Sequence, residues 1–381
     1  TTVLGVRLPL SGIDVGLVGV IMAGYWVGYV LGGLTGPVLI VRVGRIRTFA
    51  GAAGMVTVCV LATTLTSQIG FWVLSRVATG YACAVFYLAI ESWLNGAMTA
   101  QTRGGVFAGY MIATYFAAAA GQLALDVVPA NDMRLLNLVA LVFAGALMPL
   151  VLTRITPPPL GAPSRFGPLQ LWQAAPLATL TCALSGLTTA AFYALAPLYF
   201  QAEGRDGHAL SWLVASAIVG GLLGQWPLGR LSDMVDRRLV IMGSAAGLAI
   251  TAPLVAVYPR TGSLMGCCLV LALCGVFLAV IYPLAVARAN DTVSHDDVVA
   301  ASGALILVNG GGSVLGPLLG GMLMHLLGNA SLFVMIASAG AGVTLICGLA
   351  VRRERICEPQ SKPFVVLNAR ATAGSLAHPK A

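Results

Sequence analysis

Two charged side chains lie inside one long apolar run of this sequence, where a charge could bind a proton or a solute. Arg76 lies about five residues into the run, and Glu91 follows fifteen residues later. A charge deep in a membrane helix costs about 2.5–3.5 kcal/mol, so it usually faces protein or a water-filled cavity. We therefore expect Arg76 to act in coupling or solute binding; snorkelling to an interface about 8 Å away is the alternative. Glu91 could bind a proton, or it could bond a loop at the end of its helix as part of a gate.

Amide and hydroxyl side chains in other apolar runs could hydrogen-bond a solute. The further candidates for coupling or solute contact are Gln122, Gln225, Tyr282 and Asn309. A wider set of polar side chains in the runs could line the same cavity: Tyr25, Tyr29, Tyr110, Tyr115, Asn137 and Tyr193. For each of these residues, a hydrogen bond between two helices or a position in the belt at the membrane interface is the simpler alternative.

Motifs of catalysis, nucleotide binding and metal binding do not occur in the chain. The G-x-x-x-x-G-K-[ST] loop of ATP-driven proteins is absent, as are H-E-x-x-H and G-x-S-x-G. The eight cysteines form no C-x-x-C pair, and four scattered histidines suggest no zinc site. We predict that the protein is not an enzyme and holds neither a metal nor a cofactor.

The composition indicates that lipid surrounds most of the chain. Hydrophobic residues make up 58% of the 381 residues and charged residues only 9%, whereas soluble domains carry about 25% charged residues. Backbone polar groups in lipid must be satisfied within their own segment, so long apolar runs predict spanning helices. The predicted fold class is an all-α polytopic membrane protein.

Apolar runs of about 20 residues, long enough to cross a bilayer, recur along the chain. The eleven predicted spans cover residues 13–40, 48–66, 70–92, 105–125, 135–153, 174–200, 212–231, 239–257, 263–287, 301–324 and 332–351. Residues 1–6 are also apolar and end abruptly at Arg7, so we expect them to be the last part of a truncated first helix. Ser11-x-x-Asp14 is predicted to form a capping box at the start of the next helix.

The basic residues are distributed unevenly between the two ends of the predicted spans. Sixteen of the 21 lysines and arginines fall in connections of one parity or beyond the last span, and four fall in the other connections. Positively charged loops stay in the cytoplasm, so this asymmetry orients the chain. It also explains the net charge of +8 without a nucleic-acid partner.

A proline-rich connection divides the chain into two halves. Five prolines in residues 154–173 mark a connector, because prolines break helices. The predicted organisation is an N-terminal helical half at 1–153, a cytoplasmic linker at 154–173, a six-helix C-terminal half at 174–351 and a cytoplasmic tail at 352–381.

An internal repeat supports two related halves. At an offset of 192 residues the matches include Gly28 with Gly220, Gly32 with Gly224, and Arg45 with Arg237. Two glycine series also recur at every fourth position: Gly24, Gly28, Gly32 and Gly36, and Gly312, Gly316 and Gly320. Small residues at that spacing let helices approach closely, so we predict that both series serve packing.

One predicted inner loop carries a distinctive pattern, Gly229-Arg230-Leu231-Ser232-Asp233-Met234-Val235-Asp236-Arg237-Arg238. It resembles the G-x-L-x-D-R-x-G-R-R loop of the major facilitator superfamily, with Met234 and Asp236 in place of Arg and Gly. The resemblance implies a cytoplasmic latch that includes Gly229, Asp233, Arg237 and Arg238. The first-half counterpart keeps Arg42, Gly44 and Arg45 but has Val41 where the acid would be. For both loops, a simple positive-inside anchor is the alternative.

Two other segments resemble a poorly characterised bacterial branch of this superfamily. Residues 91–95 resemble its E-S-W-L-N signature in the fourth helix, and residues 282–291 resemble the end of its tenth helix. Arg76 with Gly80 resembles the superfamily's R-x-x-x-G element, which is often linked with proton coupling or substrate contact.

The resemblance implies a function as well as an architecture. The architecture would be twelve helices in a six-plus-six repeat, with about eleven complete spans here. The protein would be a secondary transporter in the bacterial inner membrane that moves a small solute by alternating access, coupled to protons or another ion. No acidic residue is centred in a predicted span, so a coupling carboxylate could lie in the missing part of the first helix. A non-transporting scaffold or sensor with the same fold is the alternative.

Overall fold

The computed structural model describes residues 2–66, 68–97, 103–128, 132–148, 167–258, 263–293 and 298–353. These residues form helices joined by short connections. The helices are α1 (Thr2–Leu10), α2 (Val15–Val43), α3 (Arg45–Ala62), α4 (Ile69–Ala97), α5 (Arg103–Val127), α6 (Met133–Gly145), α7 (Pro168–Ala174), α8 (Pro176–Ala202), α9 (Gly207–Met234), α10 (Arg237–Val257), α11 (Leu264–Thr292), α12 (Val298–Leu327) and α13 (Ser331–Arg353).

Each predicted span corresponds to a helix in the described part of the chain. Nine of the described helices are long and apolar enough to cross a membrane. The remaining two predicted spans correspond to α5, which has 25 residues, and α6, which has 13. Residues 149–166, with most of the predicted linker, lie outside the described residues, as does the tail from 354 onward. Within the predicted linker, residues 168–174 form α7, with Pro168 in its first turn, where a missing N–H costs nothing.

The entry into α2 differs from the predicted capping box. The helix begins at Val15, and Asp14 is itself the N-cap: its carboxylate accepts the backbone N–H of Gly16 at 2.8 Å. The Ser11 hydroxyl instead donates to the carbonyl of Arg7 at 3.2 Å. The predicted break at Arg7 is also wrong, because α1 continues through Pro9 to Leu10, and the turn follows at Gly12 with φ +78°.

Glycines bring α2 against α4, as predicted. A Cβ at Gly28 would overlap the carbonyl oxygen of Val77, and a Cβ at Gly24 would lie 3.2 Å from the carbonyl oxygen of Val73. In return, Gly80 of α4 lies against the backbone of Tyr25. The backbones of α2 and α4 therefore touch directly, which no larger side chain would allow.

The same contact recurs between α9 and α11. A Cβ at Gly220 would overlap the carbonyl of Ala272, and one at Gly275 would overlap the carbonyl of Ala217. Gly28 and Gly220 are the pair that the repeat of 192 residues matches, so the repeat has a structural counterpart. The second glycine series is a packing surface too, since Gly312 and Gly316 lie against the backbone of α8 at Ala183 and Leu187.

The first six helices meet the later ones mainly through α2 with α12, α5 with α9 and α1 with α8. At the predicted outer end, the Asp14 carboxylate pairs with His325 Nδ1 at 2.8 Å. One turn deeper, a Cβ at Gly19 would lie 3.1 Å from the Cα of Gly321. The outer ends of α2 and α12 are therefore in close contact.

We predict that Gly28→Ala destabilises the protein by about 1–3 kcal/mol or more, because the new methyl group meets a backbone carbonyl that cannot turn aside. Gly220→Ala should behave in the same way. Gly33→Ala is the matched control, because a Cβ there meets nothing within 4 Å. Thermal unfolding in detergent measures the effect. Equal unfolding temperatures for Gly28→Ala and Gly33→Ala would contradict the close backbone packing.

Candidate solute-binding cavity

A cavity of about 300 Å³ lies between the first six helices and the later ones. Its walls come from α1, α2, α5 and α6 on one side and from α8, α9 and α11 on the other. The lining residues are Thr2, Val3, Trp26, Tyr115, Ala117, Ala118, Gly121, Gln122, Val139, Thr189, Ala190, Tyr193, Ile218, Leu278, Ala279 and Tyr282. The surface is mostly apolar, with a few hydroxyl and amide groups that converge on the space, as is usual for small-molecule sites.

The polar groups of the cavity come from both sides. Gln122 and Tyr282 line it, as the sequence predicted, and Tyr115 and Tyr193 from the wider set do too. Gln225 is fully buried, and its side-chain amide donates to the Tyr115 hydroxyl. This bond joins α9 to α5 at the edge of the cavity.

Arg76 lies behind the cavity wall. Its side chain is 5% exposed, and its guanidinium carbon lies 4.7 Å from the centroid of the Tyr25 ring, within cation–π distance. The Tyr25 ring packs edge-on against Trp26, with the centroids 5.3 Å apart, and Trp26 lines the cavity. The arginine is thus packed between α4 and α2 and does not face lipid.

Glu91 is buried, with 1% of its surface exposed. The helix α4 runs on to Ala97, so the carboxylate lies inside the helix and not at its end, where the sequence placed it. The Tyr110 hydroxyl donates to Glu91 Oε1 at 3.3 Å. Glu91 also lies close enough to Tyr282 to interact with it electrostatically. Tyr282 therefore both lines the cavity and interacts electrostatically with a buried carboxylate.

Asn309 does not reach the cavity among the described contacts. Its amide donates to the carbonyl of Cys182 at 3.2 Å, which ties α12 to α8. Asn137 is exposed on α6. Neither residue is part of the described cavity lining: Asn309 forms a hydrogen bond between two helices, and Asn137 lies on an exposed surface. The sequence candidates did not include Trp26 and Thr189; a run of three aromatic residues in five positions, Tyr25, Trp26 and Tyr29, was the available signal for the first.

Comparison with known proteins decides the family. The family model of the Major Facilitator Superfamily matches residues 178–377. The chain is 31% identical over 354 residues to the "Uncharacterized MFS-type transporter YcaD" of Salmonella dublin, covering 88% of this chain and 87% of the relative. It is 32% identical over 342 residues to the protein of the same name from Escherichia coli O7:K1, covering 84% and 83%. The chain belongs to the major facilitator superfamily.

Solved structures show the same fold for this superfamily member. The nucleoside transporter NupG aligns with a TM-score of 0.74 at 13% identity, covering 93% of this chain and 95% of that one. A bacterial homologue of the human lysosomal transporter Spinster, inward-facing and unoccupied, aligns with a TM-score of 0.73 at 14% identity, covering 92% and 93%. The all-α polytopic fold is confirmed, and the protein is a multi-pass membrane transporter of the secondary type, not an enzyme.

The superfamily's signature loop forms a charged cluster beneath α9, α10 and α11. Arg237 is 5% exposed and pairs with Asp233 Oδ1 at 3.0 Å and with Asp291 Oδ2 at 3.4 Å. Arg237 therefore joins the C-terminal end of α9 to the C-terminal end of α11. Gly229 lies buried on α9 one turn before Asp233.

Asp236, where the superfamily usually has Gly, has two structural roles. It caps α10 by accepting the backbone N–H of Arg238 at 2.9 Å, and it pairs with the Arg238 side chain at 2.7 Å. Partial burial works to raise the pKa of Asp236, but the bonds from the Arg238 side chain and backbone outweigh it and hold the pKa below its ordinary value. Asp236 therefore caps α10, while Asp233 pairs with Arg237.

The first-half loop is built differently. Gly44 has φ +91°, a conformation that favours glycine, and it joins α2 directly to α3. Arg45 is 7% exposed, and its Nε donates to the Ser92 hydroxyl of α4 at 2.8 Å. Arg42 is exposed. Arg45 and Arg237, the matched pair of the repeat, thus both contact the fourth helix of their six-helix group, α4 and α11 respectively.

We predict that Asp236→Asn lowers the free energy of unfolding by about 1.5–3 kcal/mol at neutral pH, because it removes charge-assisted hydrogen bonds to Arg238. A carboxyl group whose pKa is lowered by folding stabilises the protein above its unfolded pKa of about 4, and it loses that contribution as the pH falls further. The difference in unfolding temperature between wild type and Asp236→Asn should therefore be constant from pH 7 to 5 and shrink below about pH 4. A pH-independent difference would show that charge is not its origin.

Proposed function

We propose that the protein moves a small uncharged solute across the bacterial inner membrane by alternating access, with Glu91 as the carrier of a coupling proton. In this arrangement the arginine-rich loops, the linker and the C-terminal tail face the cytoplasm. The observation that carries the proposal is the cavity between the two groups of helices, whose lining residue Tyr282 interacts electrostatically with the buried Glu91 carboxylate.

The lining of the cavity supports an uncharged solute. No side chain in the described lining carries a formal charge at neutral pH. An ion that left water for this space would lose its hydration without gaining an opposite charge, which is costly. Trp26, Tyr115, Tyr193 and Tyr282 offer ring faces and edges, and their polar tips, with Gln122, offer hydrogen bonds. A ring-bearing solute with several polar groups fits this chemistry.

The burial of Glu91 and its two tyrosine neighbours support a role in proton coupling. An ionised carboxylate is expensive to keep away from water, so its protonation depends on what covers it. The Tyr110 hydroxyl donates to the carboxylate, and Tyr282, which lines the solute space, interacts with it electrostatically. A solute that moves Tyr282 would change the access of water to Glu91, and the proton on Glu91 would in turn affect the solute. Coupling in the thermodynamic sense means that solute binding and proton binding change each other's affinity by the same factor.

The alternative of a scaffold or sensor would be favoured by a cavity filled with bulky apolar side chains and by an Arg76 that faces lipid. The structure has an open cavity with polar groups, and Arg76 packs on Tyr25. Alternating access also requires the outer contact between α2 and α12 to separate. The close approach at Gly19 and Gly321 leaves a smooth surface with no large side chains to disentangle there.

Flux into proteoliposomes, measured with a panel of uncharged and charged solutes under imposed pH gradients, tests the function. We expect gradient-dependent flux of an uncharged solute. Gln122→Leu should weaken its apparent affinity by about 5- to 100-fold, the cost of a lost buried hydrogen bond. Asn137→Leu, on the exposed face of α6, is the control and should leave flux unchanged. A folded protein that shows neither flux nor solute-dependent stabilisation would overturn the transporter mechanism.

We predict that Glu91→Gln abolishes accumulation driven by a pH gradient while solute exchange at equal pH persists. The amide keeps the shape and can still accept the Tyr110 hydrogen bond, but it cannot bind and release a proton. Exchange and accumulation are measured on the same vesicles, so a misfolded variant would lose both. Retention of pH-driven accumulation by Glu91→Gln would exclude Glu91 as the proton carrier.

A further inference from the structure

A second cavity, unrelated to the solute space, opens on the outside of the helix bundle near the inner ends of α2 and α3. It has a volume of about 200 Å³, and α4 forms its floor. The lining residues are Leu39, Val43, Arg47, Thr48, Gly51, Ala52, Met55, Tyr81, Ala82 and Val85. We call it the α2–α3 groove.

The groove is open because small residues line α3. A Cβ at Gly51 meets no atom within 4 Å, and Ala52 adds only a methyl group. On the rims, Val43 and Met55 are 41% and 39% exposed. An apolar slot on the surface of a spanning helix pair faces the acyl chains of the bilayer, so an acyl chain is the natural filling.

The mouth of the groove is positively charged. Arg42, Arg45 and Arg47 lie within six residues, and the sequence has no acidic residue between Asp14 and Glu91. Arg45 is turned inward to Ser92. Arg47 lines the groove, and both Arg47 and Arg42 are exposed. An anion at this end would meet two arginines and no opposing carboxylate from α2 or α3.

Thr48 adds an independent sign of a ligand. Its side chain is 4% exposed and lines the groove, and its hydroxyl has no hydrogen-bond partner among the described residues. A buried hydroxyl without a partner is costly, and native structures usually satisfy it. An ester or phosphate oxygen in the groove would accept this hydrogen bond.

We propose that the α2–α3 groove binds one anionic phospholipid of the phosphatidylglycerol type. The phosphate lies at Arg47 and Arg42, a glycerol-ester oxygen accepts from Thr48, and one acyl chain fills the slot past Gly51 and Met55. Basic pockets between spanning helices on the cytoplasmic side bind anionic headgroups in this manner. The lipid site does not depend on which solute is carried.

Native mass spectrometry of delipidated protein titrated with phosphatidylglycerol tests the site, with phosphatidylcholine as the zwitterionic comparison. We expect one phosphatidylglycerol to bind in preference to phosphatidylcholine. Gly51→Leu should abolish that binding by filling the slot, while Gly54→Leu, on the same helix and equally free of clashes, should retain it. Arg47→Gln should weaken phosphatidylglycerol binding by about fivefold, the contribution of one arginine near an anionic headgroup. Arg134→Gln is the control and should leave this binding unchanged, because the Arg134 side chain is 85% exposed and lies at the predicted outer ends of the helices, away from the groove.

Three results would overturn the lipid site. Equal binding of the two lipids would show only non-specific contact with the membrane. Equal loss in Gly51→Leu and Gly54→Leu would show that the slot is not the place of binding. Displacement of the lipid by glycerol 3-phosphate, which has a headgroup but no acyl chain, would show an anion site that does not use the groove. Unfolding temperatures of all four variants establish that each is folded.

Discussion

Direct contact between helix backbones at glycine is the interaction on which the rest of this structure depends. In lipid, apolar side chains gain little by leaving one apolar surrounding for another, so helices associate through close packing and interhelical hydrogen bonds. Gly28 with Val77 and Gly220 with Ala272 bring α2 to α4 and α9 to α11 at equivalent positions. These two contacts fix how each helix is rotated. The rotation turns Trp26 toward the cavity and Arg76 toward Tyr25.

The buried charges follow from that packing, because each lies against a neighbouring helix that carries a partner. The Arg76 guanidinium packs on the ring of Tyr25, and Glu91 accepts a hydrogen bond from Tyr110. A buried ion is tolerated when hydrogen bonds or opposite charge replace water. Glu91 differs from Arg76 because Tyr282, with which it interacts electrostatically, belongs to the other group of helices. Relative motion of the two groups would therefore change the surroundings of Glu91 more than those of Arg76, which packs against a helix of its own group.

The sequence predicted the helices well and the cavity only in part, and the reason is physical. Hydropathy over about 20 residues reports whether a segment can span, which depends on composition and not on rotation. Whether a polar side chain faces a cavity depends on rotation, which tertiary contacts decide. Gln122 and Asn309 are both amides in apolar runs, yet one lines the cavity and the other bonds Cys182 of α8. The capping prediction at Ser11 failed for a related reason. By its residue type, Asp14 could be either the N-cap of the helix or the third residue of a capping box. Its contact with His325 of α12 joins residues far apart in the sequence, so a local sequence pattern cannot reveal it.

The two inner loops show how one repeat can acquire two different environments. In the second half, Arg237 has Asp233 and Asp291, and Arg238 has Asp236, so carboxylates balance the arginines within the protein. In the first half, the Arg45 Nε donates to the neutral Ser92 hydroxyl, and Val41 stands where the superfamily has an acid. The positive charge of the first loop must then be balanced from outside the α2–α3 pair. A loop at the membrane surface has anionic headgroups within reach, and the unpartnered Thr48 hydroxyl lies in the groove beside it. The first loop thus lacks the acid that the second loop has in Asp233, and the proposed phospholipid would bring a negative charge to Arg42 and Arg47 there.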